Sequence, residues 1–134
     1  DVWLNSKTNQ LHIIDYKSTS QKKPNQEINL EGPYKAAYKR QMDLYVWVLR
    51  RMGFDVSEFG YFLYVDGDRF TQTDFIQGGS ASMEFKCSII EYKTDLSWVD
   101  ETLKKIRKLL DSDTRPLHQI GCEYGDFLDA AKNN

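Results

Sequence analysis

The chain of 134 residues is long enough for one domain with one core, and its 40% hydrophobic and 28% charged residues are ordinary for a globular protein. A formal net charge of −2 argues against a protein that coats nucleic acid by charge alone, although basic contacts confined to one site stay compatible with it. No apolar run approaches membrane-spanning length and no signal peptide is visible, so we expect no membrane partner.

Two strand-like segments open the chain, over residues 1–5 and 10–17, and the polar connection between them is typical of a hairpin turn. Strand side chains alternate between faces, so Asp15 and Lys17 point the same way. The second segment is largely apolar on both faces before Asp15, which predicts an inner strand of a covered sheet. Asp1 opens the first segment, and a hairpin would bring its strand about 5 Å from the second. That separation suits two ligands on one ion.

The clearest helix follows a long polar loop that begins at Ser18. Pro33 suits its first turn and Gly53 its C-terminal end. Helical spacing predicts an apolar stripe that contains one amide, Gln41, which needs hydrogen-bond partners if it is buried. The stripe comprises Tyr34, Ala37, Tyr38, Gln41, Tyr45, Val48, Leu49 and Met52. The charged residues Lys35, Lys39, Arg40, Asp43, Arg50 and Arg51 lie mostly off the stripe. The basic residues among them could contact phosphates, but a charged helix face is more often simply solvated.

Further strands are predicted over residues 59–65 and 83–92, with a weaker one over 70–76. Helices are predicted after Ser97 and over residues 124–132. The order of the core elements is then strand, strand, helix, strand, strand, helix.

The pair Asp15 and Lys17 is the first candidate for chemistry, because an acid and an ammonium at a strand end can hold a metal ion and a phosphate together. Taken alone, the pair is better explained as an ordinary exposed ion pair at a strand end. Three features in order, Asp1, Asp15-Tyr16-Lys17 and Gln41-x-x-x-Tyr45, resemble the PD-(D/E)XK nuclease superfamily, and within it the RecB-like and lambda-exonuclease-like branch.

The resemblance implies an α/β fold with a restriction-endonuclease-like core, a mixed β-sheet flanked by helices. We expect a single domain over residues 1–134 that lacks the family's first helix, whose place would be upstream of residue 1. A larger protein or an oligomer stays open as its setting.

The resemblance also implies a metal-dependent DNA nuclease, an exonuclease of recombination, repair or phage-type DNA processing, with Mg²⁺ (or Mn²⁺) as cofactor and DNA as partner. Asp1, Asp15 and the backbone carbonyl of Tyr16 would be metal ligands. Lys17 would contact the scissile phosphate or orient the attacking water. Gln41 would bond a site group or the DNA backbone, and Tyr45 would support it, although core packing explains Tyr45 equally well.

Another class of protein stays open, a nuclease-like fold that has lost its chemistry and serves as a nucleic-acid-binding or assembly domain. Intact Asp1, Asp15 and Lys17 favour the enzyme, whereas a missing upstream ligand favours the alternative. The triplet Glu91-Tyr92-Lys93 repeats the look of the candidate motif, but no glutamine–tyrosine helix follows it, so we treat it as an ordinary strand end.

Residues 121–127 look like the C-terminal cysteine region of RecB-like iron–sulfur nucleases, but Gly125 stands where a further cysteine is usual. Cluster ligation needs about four thiolates, and this chain offers Cys87 and Cys122, so we expect no iron–sulfur cluster. Two cysteines do not make a disulfide framework either, which favours a reducing, cytoplasmic (intracellular) location.

Overall fold

The structure is a computed structural model that describes residues 1–20, 27–69, 76–114 and 116–132. The strands are β1 (Val2–Leu4), β2 (Leu11–Thr19), β3 (Phe59–Gly67), β4 (Ile76–Gln77), β5 (Ser80–Ala81) and β6 (Phe85–Lys93). The helices are α1 (Pro33–Arg51), α2 (Val99–Leu110) and α3 (Glu123–Lys132). The chain divides into two compact units, residues 1–99 and 100–134, which are described separately.

The first unit is built on a four-stranded mixed sheet in the order β1-β2-β3-β6. Strands β1 and β2 form the antiparallel hairpin that the sequence predicts, and β2 is an inner strand, as expected. Strand β3 lies parallel to β2 and antiparallel to β6. Parallel neighbours need a crossover connection, and α1 is part of the chain that joins β2 to β3.

Helix α1 packs on one face of the sheet around a core of six buried side chains: Ile13, Met42, Val46, Val56, Phe62 and Tyr64. Close approach is possible because Gly60 has no side chain; a Cβ there would collide with Met42. Ile13 is part of this core, so the face of β2 that carries Ile13, Asp15 and Lys17 is the one that α1 covers.

The buried face of α1 differs from the predicted stripe. Tyr34 is 82% exposed, whereas Met42, Val46 and Asp43 are buried. The helix is thus rotated about its axis relative to the predicted orientation, and Asp43 explains the rotation. Its carboxylate accepts hydrogen bonds from the Asp95 backbone N–H (3.0 Å) and from the side chains of Tyr92 and Trp98. A hydrophobic wheel counts Asp43 as a solvent-facing residue, so it turns the helix the wrong way.

The short strands β4 and β5 pair with each other in a small hairpin. The weak strand predicted over residues 70–76 falls mostly on residues outside the described ranges, and residues 21–26 of the polar loop before α1 also lie outside them. Within the described ranges, none of the helices combines the length and the apolar character needed to cross a bilayer.

The second unit contains most of α2, together with α3. Gly125 of α3 lies against His118, whose ring a Cβ at residue 125 would strike. His118 Nε2 lies 2.8 Å from Asp129 Oδ2, and this hydrogen bond raises the pKa of the imidazole. The expectation of a single domain over residues 1–134 stays a prediction.

Candidate active site

Lys17 is the centre of the candidate site. Its ammonium lies 2.7 Å from Asp15 Oδ2, and the two side chains are 16% and 14% exposed. They occupy alternate positions near the end of β2, so both point to the face covered by α1. An ammonium at such a place is a fixed positive charge with little room to move.

Gln41 of α1 meets Lys17 from the helix side. Lys17 Nζ donates to Gln41 Oε1 at 3.1 Å, and Gln41 Nε2 donates to the Tyr45 hydroxyl oxygen at 2.7 Å. An ammonium carries donors and no acceptor, so the amide must turn its oxygen to Lys17 and its nitrogen to Tyr45. Tyr45 is 44% exposed and accepts through its oxygen, and no acceptor among the described residues takes its own O–H.

A third group on α1, Tyr38, completes the surroundings of the lysine. Lys17 Nζ lies 4.3 Å from the centroid of the Tyr38 ring, which is within cation–π range. Sequence reasoning placed Tyr38 in the apolar stripe and gave it no role at the site. The available signal was its spacing: Tyr38 precedes Gln41 by three residues, so the two lie on neighbouring positions of the helix surface.

The Asp15 carboxylate has an open oxygen. Oδ2 is buried, and no donor among the described residues bonds it. The Lys17 ammonium is at ion-pair distance from the same atom, but its approach does not meet hydrogen-bond geometry. Among the described residues, Oδ2 is therefore held by an ion pair and by no aligned hydrogen bond. A buried acceptor in this condition is a place for a further ligand.

Asp1 lies across the hairpin from Ile14, not from Asp15. Val2 pairs with Ile13, and Asp1 exchanges two backbone hydrogen bonds with Ile14. Directly opposite residues share a face, so Asp1 lies with Ile14 and Tyr16, on the face opposite Asp15. Its carboxylate accepts from the Tyr16 hydroxyl at 3.0 Å. The structure thus groups Asp15 with the α1 residues and leaves Asp1 apart; its role as a ligand stays a prediction.

The backbone of Tyr16 lies between these two groups. Ile14 donates to the Asp1 carbonyl at 2.9 Å and accepts from the Asp1 nitrogen at 2.7 Å. Backbone groups alternate along a strand, so the Tyr16 carbonyl faces the same side as that of Ile14, away from β3. It therefore takes no part in the β2–β3 ladder.

The residues at this site suit a hard divalent cation held mainly by water and substrate. No three His, Cys, Asp or Glu side chains come together as a metal site in the described part of the chain. Mg²⁺ does not require such a group, since it keeps several waters and binds through one or two carboxylates plus phosphate oxygens. The open Oδ2 of Asp15 supplies one such ligand, and the Tyr16 carbonyl is an oxygen of the right kind.

The repeated triplet on β6 has other surroundings. Glu91 pairs with Tyr61 and accepts from its hydroxyl at 3.1 Å, on the face of the sheet opposite Asp15. Lys93 forms an exposed ion pair with Glu58 at 3.2 Å. The two residues thus have separate surface partners, and no counterpart of Gln41 contacts Lys93 among the contacts described.

The comparisons with known proteins agree with this geometry. A mixed sheet with a crossover helix over an acid–lysine pair is an α/β arrangement. The family model of the PD-(D/E)XK nuclease superfamily matches residues 1–128, and the chain belongs to that superfamily. No curated protein and no solved structure matches the chain significantly.

Membership confirms the predicted fold class, α/β with a restriction-endonuclease-like core. Members of the superfamily are generally nucleases and typically use divalent metal ions such as Mg²⁺, which implies a nucleic acid as binding partner. The RecB-like and lambda-exonuclease-like branch stays a prediction.

Proposed function

We propose that this protein is a metal-dependent deoxyribonuclease that hydrolyses phosphodiester bonds in DNA, as an exonuclease of recombination, repair or phage-type DNA processing. One observation carries the proposal: the Lys17 ammonium is held between Asp15 Oδ2, Gln41 Oε1 and the Tyr38 ring. Among the described residues, Asp15 Oδ2 has this ion pair but no aligned hydrogen-bond donor.

Lys17 is the residue that meets the phosphate. An ammonium has three N–H donors. One N–H of Lys17 donates to Gln41, and the ammonium forms an ion pair with Asp15. An N–H donor therefore remains for a phosphate oxygen. Fixed donors aimed at developing negative charge stabilise a transition state without reorganisation at the moment of reaction.

Gln41 and Tyr45 hold that lysine in place. The amide oxygen fixes the ammonium, and the Tyr45 hydroxyl fixes the amide. The free O–H of Tyr45 is available to a phosphate oxygen or a water, since the ring is half-exposed. This hydrogen-bonded chain also supports the RecB-like and lambda-exonuclease-like branch, where a Gln-x-x-x-Tyr helix accompanies the acid–lysine motif.

Asp15, Asp1 and the Tyr16 carbonyl are the proposed ligands of Mg²⁺ or Mn²⁺. The bound ion would activate a water and neutralise charge on the phosphate. The open Oδ2 of Asp15 supports this assignment most directly. For Asp1, the role requires its carboxylate to leave the Tyr16 hydroxyl that it accepts from at 3.0 Å.

One observation favours the alternative, a nucleic-acid-binding or assembly domain without chemistry. Asp1 lies with Ile14 rather than Asp15 in the hairpin register, so two carboxylates do not face one ion in this conformation. The proposed nuclease contains no iron–sulfur cluster. Its proposed location is the cytoplasm, which the cysteine content favours.

Incubation with end-labelled single- and double-stranded DNA in Mg²⁺, Mn²⁺ or chelator tests the proposal. We expect cleavage in either metal and none in chelator. Gln41→Ala removes a hydrogen bond to a charged group, worth about 1.5–3 kcal/mol, so cleavage should fall about 10–100-fold. Its melting temperature should change little, because the amide lies at the edge of the buried face.

Gln10→Ala is the matched control. Its amide donates to Asp55 at 3.2 Å on the exposed surface, near the hairpin turn, and it should cleave like the wild type. Wild-type protein that binds DNA but leaves it intact in both metals would favour the alternative. A destabilised Gln41→Ala protein that cleaves normally would show that Gln41 is a structural amide.

A further inference from the structure

The five basic residues of α1 fall into different surroundings, and one of them lies near the candidate site. Arg50 donates twice to the Val56 carbonyl, at 3.0 and 2.8 Å, and so belongs to the end of the helix. Arg51 lies over the Trp47 ring at 4.8 Å. Lys35, by contrast, reaches over the sheet from the first turn of the helix. Sequence alone treated all five as equivalent.

Lys35 is held by a side chain of the core. Its ammonium donates to the Tyr64 hydroxyl at 2.6 Å and lies 4.3 Å from the centroid of the same ring. Tyr64 is 1% exposed and belongs to the core, so the hydroxyl is a rigid anchor. It stands on β3 directly beside Lys17 of β2. A long flexible side chain is therefore fixed by the core at one end of the candidate site.

The two lysines share one aromatic ring. Lys17 Nζ lies 4.3 Å and Lys35 Nζ 5.6 Å from the Tyr38 centroid, so the two nitrogens are within about 10 Å of each other. Asp15 balances the charge of Lys17. Within the described part of the chain, no carboxylate lies within ion-pair distance of Lys35. The pair thus carries an excess of positive charge in a chain whose formal net charge is −2.

We propose that Lys35 binds a second phosphate of the nucleic-acid strand, next to the phosphate held at Lys17, with Tyr64 as its positioning residue. Like charges held near one another repel, and a phosphate beside them relieves that repulsion. Lys35 also lies in the first turn of a helix without an acidic residue there, where the partial positive charge of the helix start acts in the same direction. The inference rests on the proposed function and deepens it.

The salt dependence of DNA binding tests the inference. Each phosphate contact contributes about 0.7 for a single strand, or about 0.9 for a duplex, to the slope of log affinity against log salt. Binding is measured by fluorescence anisotropy in Ca²⁺, with recovery of intact oligonucleotide as the check that none is cleaved. Lys35→Gln should lower the slope by about one such contact, and Lys35→Arg should retain it.

Lys7→Gln is the matched control, since Lys7 is an exposed lysine of the hairpin turn and the charge change is the same. If Lys35→Gln does not fold, Lys35→Met keeps the apolar stem against the rings and removes the same charge. An unchanged slope in the neutral variants, or an equal fall in Lys7→Gln, would overturn the inference while wild-type binding and cleavage stand. A wild type that neither binds nor cleaves DNA would overturn the proposed function, and this inference with it.

Tyr64→Phe separates positioning from simple packing. The ring and its cation–π contact remain, and the hydroxyl bonded at 2.6 Å is lost. We expect weaker DNA binding in the wild-type background and no further weakening in the Lys35→Gln background. Equal weakening in both backgrounds would mean that Tyr64 acts on the fold alone and would remove it from the assignment.

Discussion

Replacement of Asp43 by asparagine should destabilise the fold strongly without touching the chemistry. Asp43 is 2% exposed. One carboxylate oxygen accepts from the Asp95 N–H at 3.0 Å, and the other accepts from Trp98 Nε1 at 3.0 Å and from the Tyr92 hydroxyl at 3.4 Å. This side chain therefore joins the middle of α1 to the end of β6 and to the segment that follows it.

The cost follows from the number of acceptors. Asparagine has the same shape but one oxygen, so it can serve one of the two groups of donors and must turn its NH₂ toward the other. One hydrogen bond to a charged group is lost, worth about 1.5–3 kcal/mol, and a buried donor is left without a partner. We expect Asp43→Asn to lower the free energy of unfolding by about 2–3 kcal/mol, a large share of the usual 5–15 kcal/mol.

Urea unfolding followed by tryptophan fluorescence measures this change. With a slope of about 2 kcal/mol per molar urea, the midpoint should fall by about 1 M or more while the slope stays constant. Asp55→Asn is the control, since that carboxylate is exposed and should change stability by less than about 0.5 kcal/mol. If Asp43→Asn were as mild as the control, or if its folded fraction lost cleavage, the structural role given to Asp43 would be refuted.

Three further predictions concern single side chains. Lys17→Ala should abolish cleavage. It should also lower stability, because it leaves the largely buried Asp15 carboxylate without its counter-charge. Lys93→Ala should resemble the wild type in cleavage and in stability. Tyr45→Phe removes the hydroxyl that accepts from the site amide, so cleavage should fall about tenfold or more with little change in melting temperature. Burial, with help from a neighbouring carboxylate, raises the pKa of Tyr92 from 10.0 to about 12, so the folded state holds this proton more tightly. Stability should therefore decline as pH rises from 10 to 12, and urea midpoints should show a smaller decline in Tyr92→Phe.

Local spacing was enough to predict the parts of the site that lie close along the chain. Asp15 and Lys17 are two residues apart on a strand, and Gln41 and Tyr45 are one turn apart on a helix, so each pair is brought together by secondary structure alone. The order of elements then placed the helix after the inner strand. The bond between Lys17 and Gln41 joins the two pairs.

The position of Asp1 could not be predicted in the same way, because it depends on register. A slip of one residue moves a side chain to the other face of a sheet. In the turn, Asn9 has a φ of 58°, and its N–H donates to the Asn5 carbonyl at 2.8 Å. This turn sets Asp1 opposite Ile14. A pairing one residue along would have set it opposite Asp15.

Long-range contacts account for the other differences. Asp43 looked like a surface residue because its donors lie about fifty residues further along the chain, at Asp95 and Trp98. Lys35 looked like one of several basic residues on a solvated face until its contact with Tyr64 of β3 set it apart. Neither set of contacts can be predicted from the helical spacing of apolar residues in the sequence.

The proposed metal-dependent cleavage depends on the carboxylate of Asp15. The most direct measurement is the initial rate of Mg²⁺- and Mn²⁺-dependent cleavage of end-labelled DNA by Asp15→Asn, compared with the wild type at equal concentrations of folded protein. Asparagine has nearly the same shape, but it is neutral and leaves the largely buried Lys17 ammonium without its counter-charge, so stability should fall. Rates are therefore compared for folded protein only. We predict a fall of about 100-fold or more, with the fold retained. Cleavage by the folded variant at the wild-type rate would remove Asp15 from the proposed active site.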